Sequence, residues 1–194
     1  MDNKQIHARR RASVGLGLAA LLLATAGSLF ARETSVEAWP LRSRTLVRAL
    51  VEEYGIPNRL NEVEVVWYDN GPWRKTVVHR DSWSRLLGIR DNDNLEQIIG
   101  YRVPGDKIRS LKRFGRRIEF DKAGGELSSR AESQGLNYMA LNLANEIITG
   151  TRTVEDARDF YRKTEELSKA GKSSPYLEGF LFTVEPNAKA VRPE

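Results

Sequence analysis

One histidine and one carboxylate stand close enough in the sequence to act together. His79 and Asp81 are two positions apart, at the end of a segment rich in β-branched residues. Side chains two apart on a strand point to the same face, and a histidine beside a carboxylate is suited to acid/base chemistry. The sequence designates neither a nucleophile nor an orienting partner for them. It favours a structural interpretation, in which His79 and Arg80 lie at a strand end and pair with Asp69 or Asp81.

The sequence offers few ligands for a metal ion. Cysteine is absent, and the chain beyond residue 31 contains one histidine, so a zinc or copper site would depend on carboxylates. Residues 91–94 (DNDN) resemble the oxygen-rich start of a calcium loop, but the glycine and the closing glutamate are missing at their required spacings. Without cysteine there is also no disulfide, thiolate nucleophile or cysteine for lipidation. No metal and no cofactor are indicated.

Positive charge is concentrated between Arg102 and Arg117. This segment contains seven basic residues and a single acidic one. Such a cluster suits anionic lipid headgroups, a cell-envelope polymer or an acidic partner surface, and each Lys or Arg near an anionic membrane contributes about 1 kcal/mol. The alternative is a solvated face, whose stems cover the core and whose charged ends pair with Glu119 or Asp121. If the segment binds an anionic partner, the expected contacts are Arg109, Lys112, Arg113, Arg116 and Arg117.

Four large aromatic residues surround the first predicted hairpin: Trp67, Tyr68, Trp73 and Trp83. They are suited to stacking on a sugar or to gripping a peptide. Cross-strand aromatic pairs also stabilise hairpins by about 0.2–1 kcal/mol each without any ligand. The sequence favours packing in the core and the sheet.

Three asparagines, Asn137, Asn142 and Asn145, lie in a predicted helix over residues 136–149, although Asn is a mediocre helix former. Asn142 and Asn145 are three positions apart and share a helix face. They are therefore expected to hydrogen-bond to the neighbouring sheet or to a molecule bound there, and the structural use is favoured.

The first 31 residues predict delivery to or across a membrane. A positively charged start over residues 2–11 precedes nineteen uncharged residues, 12–30. Small residues at 24 and 26 predict a signal peptide cleaved near Ala26, whereas the uncharged length nearly matches the roughly 20 residues of a membrane span and predicts an anchor. In both cases the positive-inside rule places the rest of the chain outside the cytoplasm, in the periplasm.

The overall charge reflects this leader more than any ligand. The net charge of +5 falls to +2 without residues 1–31. Global basicity therefore says little about binding, and the export signal disfavours a nucleic-acid partner.

The order of predicted elements indicates a single α+β domain over residues 43–186. Hairpins are expected around Asn70 and Gly71 and around Gly124 and Gly125, because these residues tolerate the positive φ of tight turns. Regular strand–helix–strand alternation is missing, so the sequence favours an antiparallel sheet built from hairpins with a helix pair packed on it. The other expected elements are a linker at 32–42, a helix after Ser43, a strand at 95–103, helices at 105–114, 136–149 and 154–170, an extended segment that includes 175–176 and 180–184, and a flexible tail at 187–194.

Two segments resemble a family of uncharacterised bacterial exported proteins: residues 70–81 (NGPWRKTVVHRD) and residues 137–147 (NYMALNLANEI). The resemblance implies export but assigns no activity or catalytic residue. A weaker likeness is to small outer-membrane-assembly lipoproteins, through Gly55-Ile56-Pro57 followed by Trp67-Tyr68. The lipidated cysteine of that family is missing here, so the likeness implies the fold alone.

Two hypotheses of function follow. The leading one is a non-enzymatic envelope protein that binds a partner protein or an anionic envelope surface through the basic segment. The alternative is a hydrolase acting on an envelope polymer, with His79 and Asp81 as acid/base groups and the nearby tryptophans as a platform. Oligomeric state is left open.

Overall fold

The computed structural model describes residues 36–82, 92–115 and 118–184. The predicted leader, Trp83, Asp91, Arg116, Arg117 and the predicted tail lie outside these residues. The described residues belong to one compact unit, Val36–Glu194.

An antiparallel sheet forms the centre of the fold. Its six strands lie in the order β1-β2-β3-β4-β6-β5, and every neighbouring pair is antiparallel. The predicted α+β class is therefore confirmed. The strands are β1 (Arg59–Leu60), β2 (Glu64–Asn70), β3 (Trp73–His79), β4 (Leu95–Gly100), β5 (Ile118–Asp121) and β6 (Glu126–Ala131).

Helices connect and cover the strands. They are α1 (Leu41–Tyr54), α2 (Ile108–Phe114), α3 (Gln134–Thr149), α4 (Val154–Lys169) and α5 (Pro175–Glu178), with short 3₁₀ helices at Val36–Ala38 and Gly105–Lys107. Within the described ranges, no helix is long and apolar enough to cross a membrane.

The first hairpin turns where the sequence predicts it. β2 and β3 are joined by Gly71 and Pro72, and their register pairs Asn70 with Trp73. Gly71 has φ 62°, a left-handed conformation that glycine adopts without steric cost. The second hairpin, β5–β6, likewise turns through a glycine with positive φ, Gly125.

Two apolar clusters join the helices to the sheet. α1 packs Val47 and Leu50 against Trp67 of β2, whereas α3 packs Met139 and Leu143 into a larger core cluster. α2 contributes two buried side chains, Leu111 and Phe114, to this larger cluster. The Arg158 side chain of α4 also donates a hydrogen bond from Nε to the Phe114 carbonyl at 3.3 Å. These contacts fix α2 on the domain and leave its opposite side facing outward.

The chain departs from expectation at both ends of the described region. The first helix begins at Leu41, inside the expected linker, with Pro40 as its N-cap. A proline there costs the helix no hydrogen bond, because the amides at the start of a helix have no partner within it. Trp39 of the same segment is buried in the core. The segment expected to be extended at 175–176 and 180–184 is not a strand. Residues 175–176 begin α5, and the backbone beyond it bonds to the Asn142 side chain rather than to another strand: Leu181 N donates to Asn142 Oδ1 at 2.8 Å.

Two strands also differ from expectation. β4 ends at Gly100 instead of continuing to Val103, and the Tyr101 amide bonds to the Gly125 carbonyl of the β5–β6 turn. β1 was not predicted, because a strand of two residues is too short to show an alternating pattern.

Candidate functional site

Three cationic side chains lie on the outward side of α2. Arg109, Lys112 and Arg113 are exposed, while Leu111 and Phe114 on the other side are buried. The spacing of three and four residues places the three cations on one helix face. We call these three residues the basic surface.

Ion pairing among the described residues does not neutralise the basic surface. In the part of the chain that the structure describes, none of its three side chains forms a salt bridge. Of the partners that the sequence suggested, Glu119 and Asp121 lie on β5, and the Asp121 carboxylate accepts a hydrogen bond from the Ala123 amide at 2.9 Å. These three cations therefore do not form the ion pairs with Glu119 or Asp121 that the solvated-face alternative predicts.

A shallow depression lies beside these cations. It is lined by Gly105, Asp106, Ile108 and Ser110 together with the three residues of the basic surface. Asp106 is the single carboxylate among the described residues of this lining. Exposed ammonium and guanidinium groups with one nearby carboxylate create a positive potential that attracts anions. Arg116 and Arg117, the other two expected contacts, lie outside the described residues.

The cations of α4 are arranged differently. Arg162 lies 3.2 Å from Asp159 and 4.0 Å from Glu166, and Lys169 lies 3.4 Å from Glu165. Each of these pairs is spaced by three or four positions, so α4 carries its own counter-charges on its surface.

The second candidate site is organised differently from the predicted one. His79 Nε2 lies 2.9 Å from Glu96 Oε2 on the adjacent strand β4. Burial raises the pKa of Glu96, but the hydrogen bond and charge of His79, with Arg130 and Lys75 nearby, outweigh it, so the pKa lies below its ordinary value. The carboxylate that orients His79 is therefore Glu96.

Asp81 does not join this pair. Arg80 Nε donates a hydrogen bond to Asp81 Oδ2 at 2.7 Å, as the structural interpretation allowed for Arg80. The sequence alone could not identify Glu96, because the register of β4 beside β3 depends on pairing between distant residues.

Two of the four aromatic residues are part of the core. Trp67 and Trp73 are 2% and 0% exposed. Trp67 donates from Nε1 to the Gly55 carbonyl at 3.0 Å, and Trp73 packs against Tyr138 with ring centroids 4.8 Å apart. These two tryptophans are therefore inaccessible to a sugar or peptide, and Trp83 lies outside the described residues.

The helix asparagines make internal hydrogen bonds. Asn137 donates to Leu95 O at 3.2 Å, and Asn145 accepts from Tyr101 OH at 2.8 Å. Asn142 donates to the Tyr176 and Gly179 carbonyls at 3.3 and 2.8 Å. Their side chains are thus used within the fold, as the sequence favoured.

Comparison of the chain with protein-family models, with curated proteins and with solved structures finds no match. The resemblances carried by residues 70–81 and 137–147 stay predictions. Function must therefore be inferred from the side chains described above.

Proposed function

We propose that the protein is a non-enzymatic binding module of the cell envelope, and that its basic surface binds an anionic partner, either an acidic protein or an anionic envelope surface. The observation that carries this proposal is the position of Arg109, Lys112 and Arg113 on one exposed helix face with no salt bridge inside the described part of the domain. Arg116 and Arg117 follow directly in the sequence and extend the positive charge.

The anchoring of α2 supports this function. Leu111 and Phe114 hold the helix against the core, so the cations keep a fixed spacing without a bound partner. Binding to an exposed charged surface of this kind is driven by Coulomb attraction and weakens as salt screens the charges. A partner would therefore associate rapidly at low ionic strength and dissociate at high ionic strength.

The experiment compares two charge-reversal variants of the full chain in a neutral detergent. In one, Arg109, Lys112 and Arg113 are replaced by Glu; in the control, Arg162, Lys163 and Lys169 of α4 are replaced by Glu. Affinity for immobilised polyaspartate is measured for both. With about 1 kcal/mol for each cation, the α2 variant should bind about a hundredfold more weakly, and the control should retain most of the affinity.

Both variants have the same net charge, so net charge cannot explain a difference between them. Equal loss in the two variants, or no loss in the α2 variant, would contradict the proposal. Adding Arg116→Glu and Arg117→Glu to the α2 variant tests all five expected contacts. Circular dichroism of each variant shows whether the fold is retained.

A hydrolase acting on an envelope polymer is the alternative proposal, and the His79–Glu96 hydrogen bond is the observation that favours it. A carboxylate that holds a histidine fixes its tautomer and orientation for acid/base work. His79→Ala should then abolish hydrolysis of isolated envelope polymer. Asp81→Asn, which removes a partner of Arg80, should leave the rate of hydrolysis unchanged. Undiminished turnover by the His79→Ala protein would end this alternative.

A further inference from the structure

A second depression adjoins the one beside α2. It lies between the segment after β4 and the β5–β6 turn, and its lining is Arg102, Val103, Gly105, Lys122, Ala123, Gly124 and Gly125. Gly105 lines both depressions. The two are therefore neighbouring parts of one surface, joined where the chain enters α2.

The second depression contributes two more cations, Arg102 and Lys122. Both side chains are exposed, and neither forms a salt bridge within residues 36–82, 92–115 and 118–184. Arg74, by contrast, is largely buried under the same turn and is paired with Glu126 at 3.2 Å. Asp121 and Glu126 lie beside the turn at Gly124. Arg102 and Lys122 nevertheless resemble the cations of α2, because they are exposed and form no salt bridge among the described residues.

Hydrogen bonds hold the turn against the rest of the sheet. Arg74 Nη1 donates to the Gly124 carbonyl at 3.2 Å, and the Tyr101 amide donates to the Gly125 carbonyl at 2.8 Å. Arg102 lies alongside Gly125, because a Cβ added there would come within 3.5 Å of Arg102 Cγ. The two cations therefore have a defined place relative to α2.

We propose that the basic surface continues across Gly105 onto the β5–β6 turn, and that the enlarged surface binds the anionic headgroups of a lipid bilayer. This inference rests on the proposed function and names the partner. The cations that would contact the headgroups are Arg102, Arg109, Lys112, Arg113 and Lys122.

The lining of the two depressions favours lipid headgroups over an acidic protein. Protein interfaces obtain most of their affinity from aromatic or other large side chains that become buried. Among the described residues, the linings contain no aromatic side chain, and their larger apolar side chains are Val103 and Ile108. Attraction of dispersed cations to an anionic bilayer needs no such anchor. The predicted leader would also hold the domain close to a membrane.

The absence of cysteine from the chain allows a single label to be placed on the surface. The full chain with Ala123→Cys carries a fluorophore in the β5–β6 turn, and Ala170→Cys carries it at the end of α4. The helix from Arg158, beside α2, to Ala170 is about 18 Å long at 1.5 Å per residue, so the control label is displaced from α2. Both proteins are mixed with vesicles that carry a quencher on a small fraction of their headgroups.

Vesicles of phosphatidylcholine alone are compared with vesicles of phosphatidylcholine and phosphatidylglycerol in equal parts. We expect the label at position 123 to be quenched strongly with phosphatidylglycerol and weakly without it, and the label at position 170 to change little. Salt at about 1 M shortens the Debye length to about 3 Å and should remove the quenching.

The assignment of Arg102 and Lys122 is tested in the Ala123→Cys protein with both residues replaced by Glu. The vesicle concentration for half-maximal quenching should rise about thirtyfold, whereas the control replacements Lys163→Glu and Lys172→Glu should change it much less. An equal rise in the half-maximal vesicle concentration for both pairs of replacements would overturn the assignment of Arg102 and Lys122.

Equal quenching in both kinds of vesicle, or none in either, would overturn the lipid inference. If polyaspartate binding still depends on Arg109, Lys112 and Arg113, the proposed function survives that result with an acidic protein as its partner. If replacing Arg109, Lys112 and Arg113 by Glu does not weaken polyaspartate binding, that result contradicts the proposed function itself.

Discussion

The helices α2 and α4 both carry exposed arginine and lysine, but among the described residues salt bridges are formed by Arg162 and Lys169 of α4 and by none of the exposed cations of α2. Arg162 and Lys169 each lie within 4.0 Å of a carboxylate three or four positions away. At those spacings the cations of α2 have mainly each other, since Arg109 is followed by Lys112 and Arg113; the one carboxylate, Asp106, lies three positions before Arg109 and forms no salt bridge among the described residues. A charged helix face is therefore an ordinary solvated surface in one case and a concentration of uncompensated charge in the other.

This difference distinguishes the side chains that stabilise the fold from those that are available for binding. Like charges three or four positions apart destabilise a helix by about 0.2–0.5 kcal/mol per pair, so the basic surface opposes formation of α2. The helix is kept by packing of Leu111 and Phe114 against the core. A side chain that adds nothing to folding and remains exposed is available to a partner.

The largest effect is expected from breaking the packing that holds α2. Leu111 is 1% exposed, whereas Leu167 on α4 is 55% exposed. Leu111→Ala should lower the free energy of unfolding by about 2–5 kcal/mol, because it removes buried methyl groups and leaves a cavity. Leu167→Ala should change it by less than about 0.5 kcal/mol. Urea denaturation followed by circular dichroism measures both, and similar losses in the two variants would contradict the proposed anchoring.

The next effect concerns a polar side chain used entirely inside the fold. Asn142 is 1% exposed, donates to two carbonyls and accepts from the Leu181 amide. Asn142→Ala should cost about 2–3 kcal/mol of unfolding free energy, because it leaves buried backbone groups without partners. Affinity for polyaspartate, measured well below the midpoint of unfolding, should not change. A loss of affinity there would show that the contacts of Asn142 help to position the basic surface.

A smaller effect is expected from the pair formed by His79 and Glu96. The pKa of Glu96 is lower in the folded chain than its ordinary value of 4.5, despite burial, because His79 and nearby cations favour the carboxylate. A carboxyl group with a lowered pKa stabilises the folded state at pH above the pKa of the unfolded chain. This stability is lost as pH falls through the pKa of the folded chain. Glu96→Gln should therefore lower the free energy of unfolding by about 1–2 kcal/mol at pH 7.

The pH dependence distinguishes this pair from a merely steric contact. As pH falls from 4.5 through the lower pKa of folded Glu96, the gap in unfolding free energy between the native chain and Glu96→Gln should narrow, because the native side chain then also becomes neutral. Urea midpoints at neutral and acidic pH give the comparison. A gap that stays constant with pH would show that the charge of Glu96 does not contribute.

The sequence predicts local features of this fold better than distant ones. Ile108, Leu111 and Phe114 recur at helical spacing, so the outward face of α2 and its cations follow from the sequence itself. The order of strands does not follow, because β4 lies between β3 and β6 through pairing of residues far apart in the chain. For that reason Glu96, not Asp81, is the partner of His79.

The segment after α5 shows a second limit. Residues 180–184 have a composition suited to a strand, which the sequence predicted, but their position is set by α3. Asn142 bonds to the backbone on both sides of Phe180 and thereby occupies groups that a neighbouring strand would use. No sequence pattern predicts a side-chain contact of this kind. The buried face of α3, by contrast, is predicted by apolar residues at helical spacing.

The smallest expected effects test the comparison of the two helices directly, because they should have opposite signs. Arg162→Gln removes an attractive pairing with Asp159 and Glu166 and should lower the free energy of unfolding by about 0.3–0.5 kcal/mol. Arg109→Gln removes repulsion from Lys112 and Arg113 and should raise it by about the same amount. Glutamine has nearly the helix propensity of arginine, so the substitution changes mainly the charge. Urea midpoints at low salt should therefore move in opposite directions, and both shifts should vanish at about 1 M salt, where screening acts within about 3 Å. Shifts of the same sign would mean that the cations of α2 are neutralised after all, and the basic surface would then be a solvated face like that of α4.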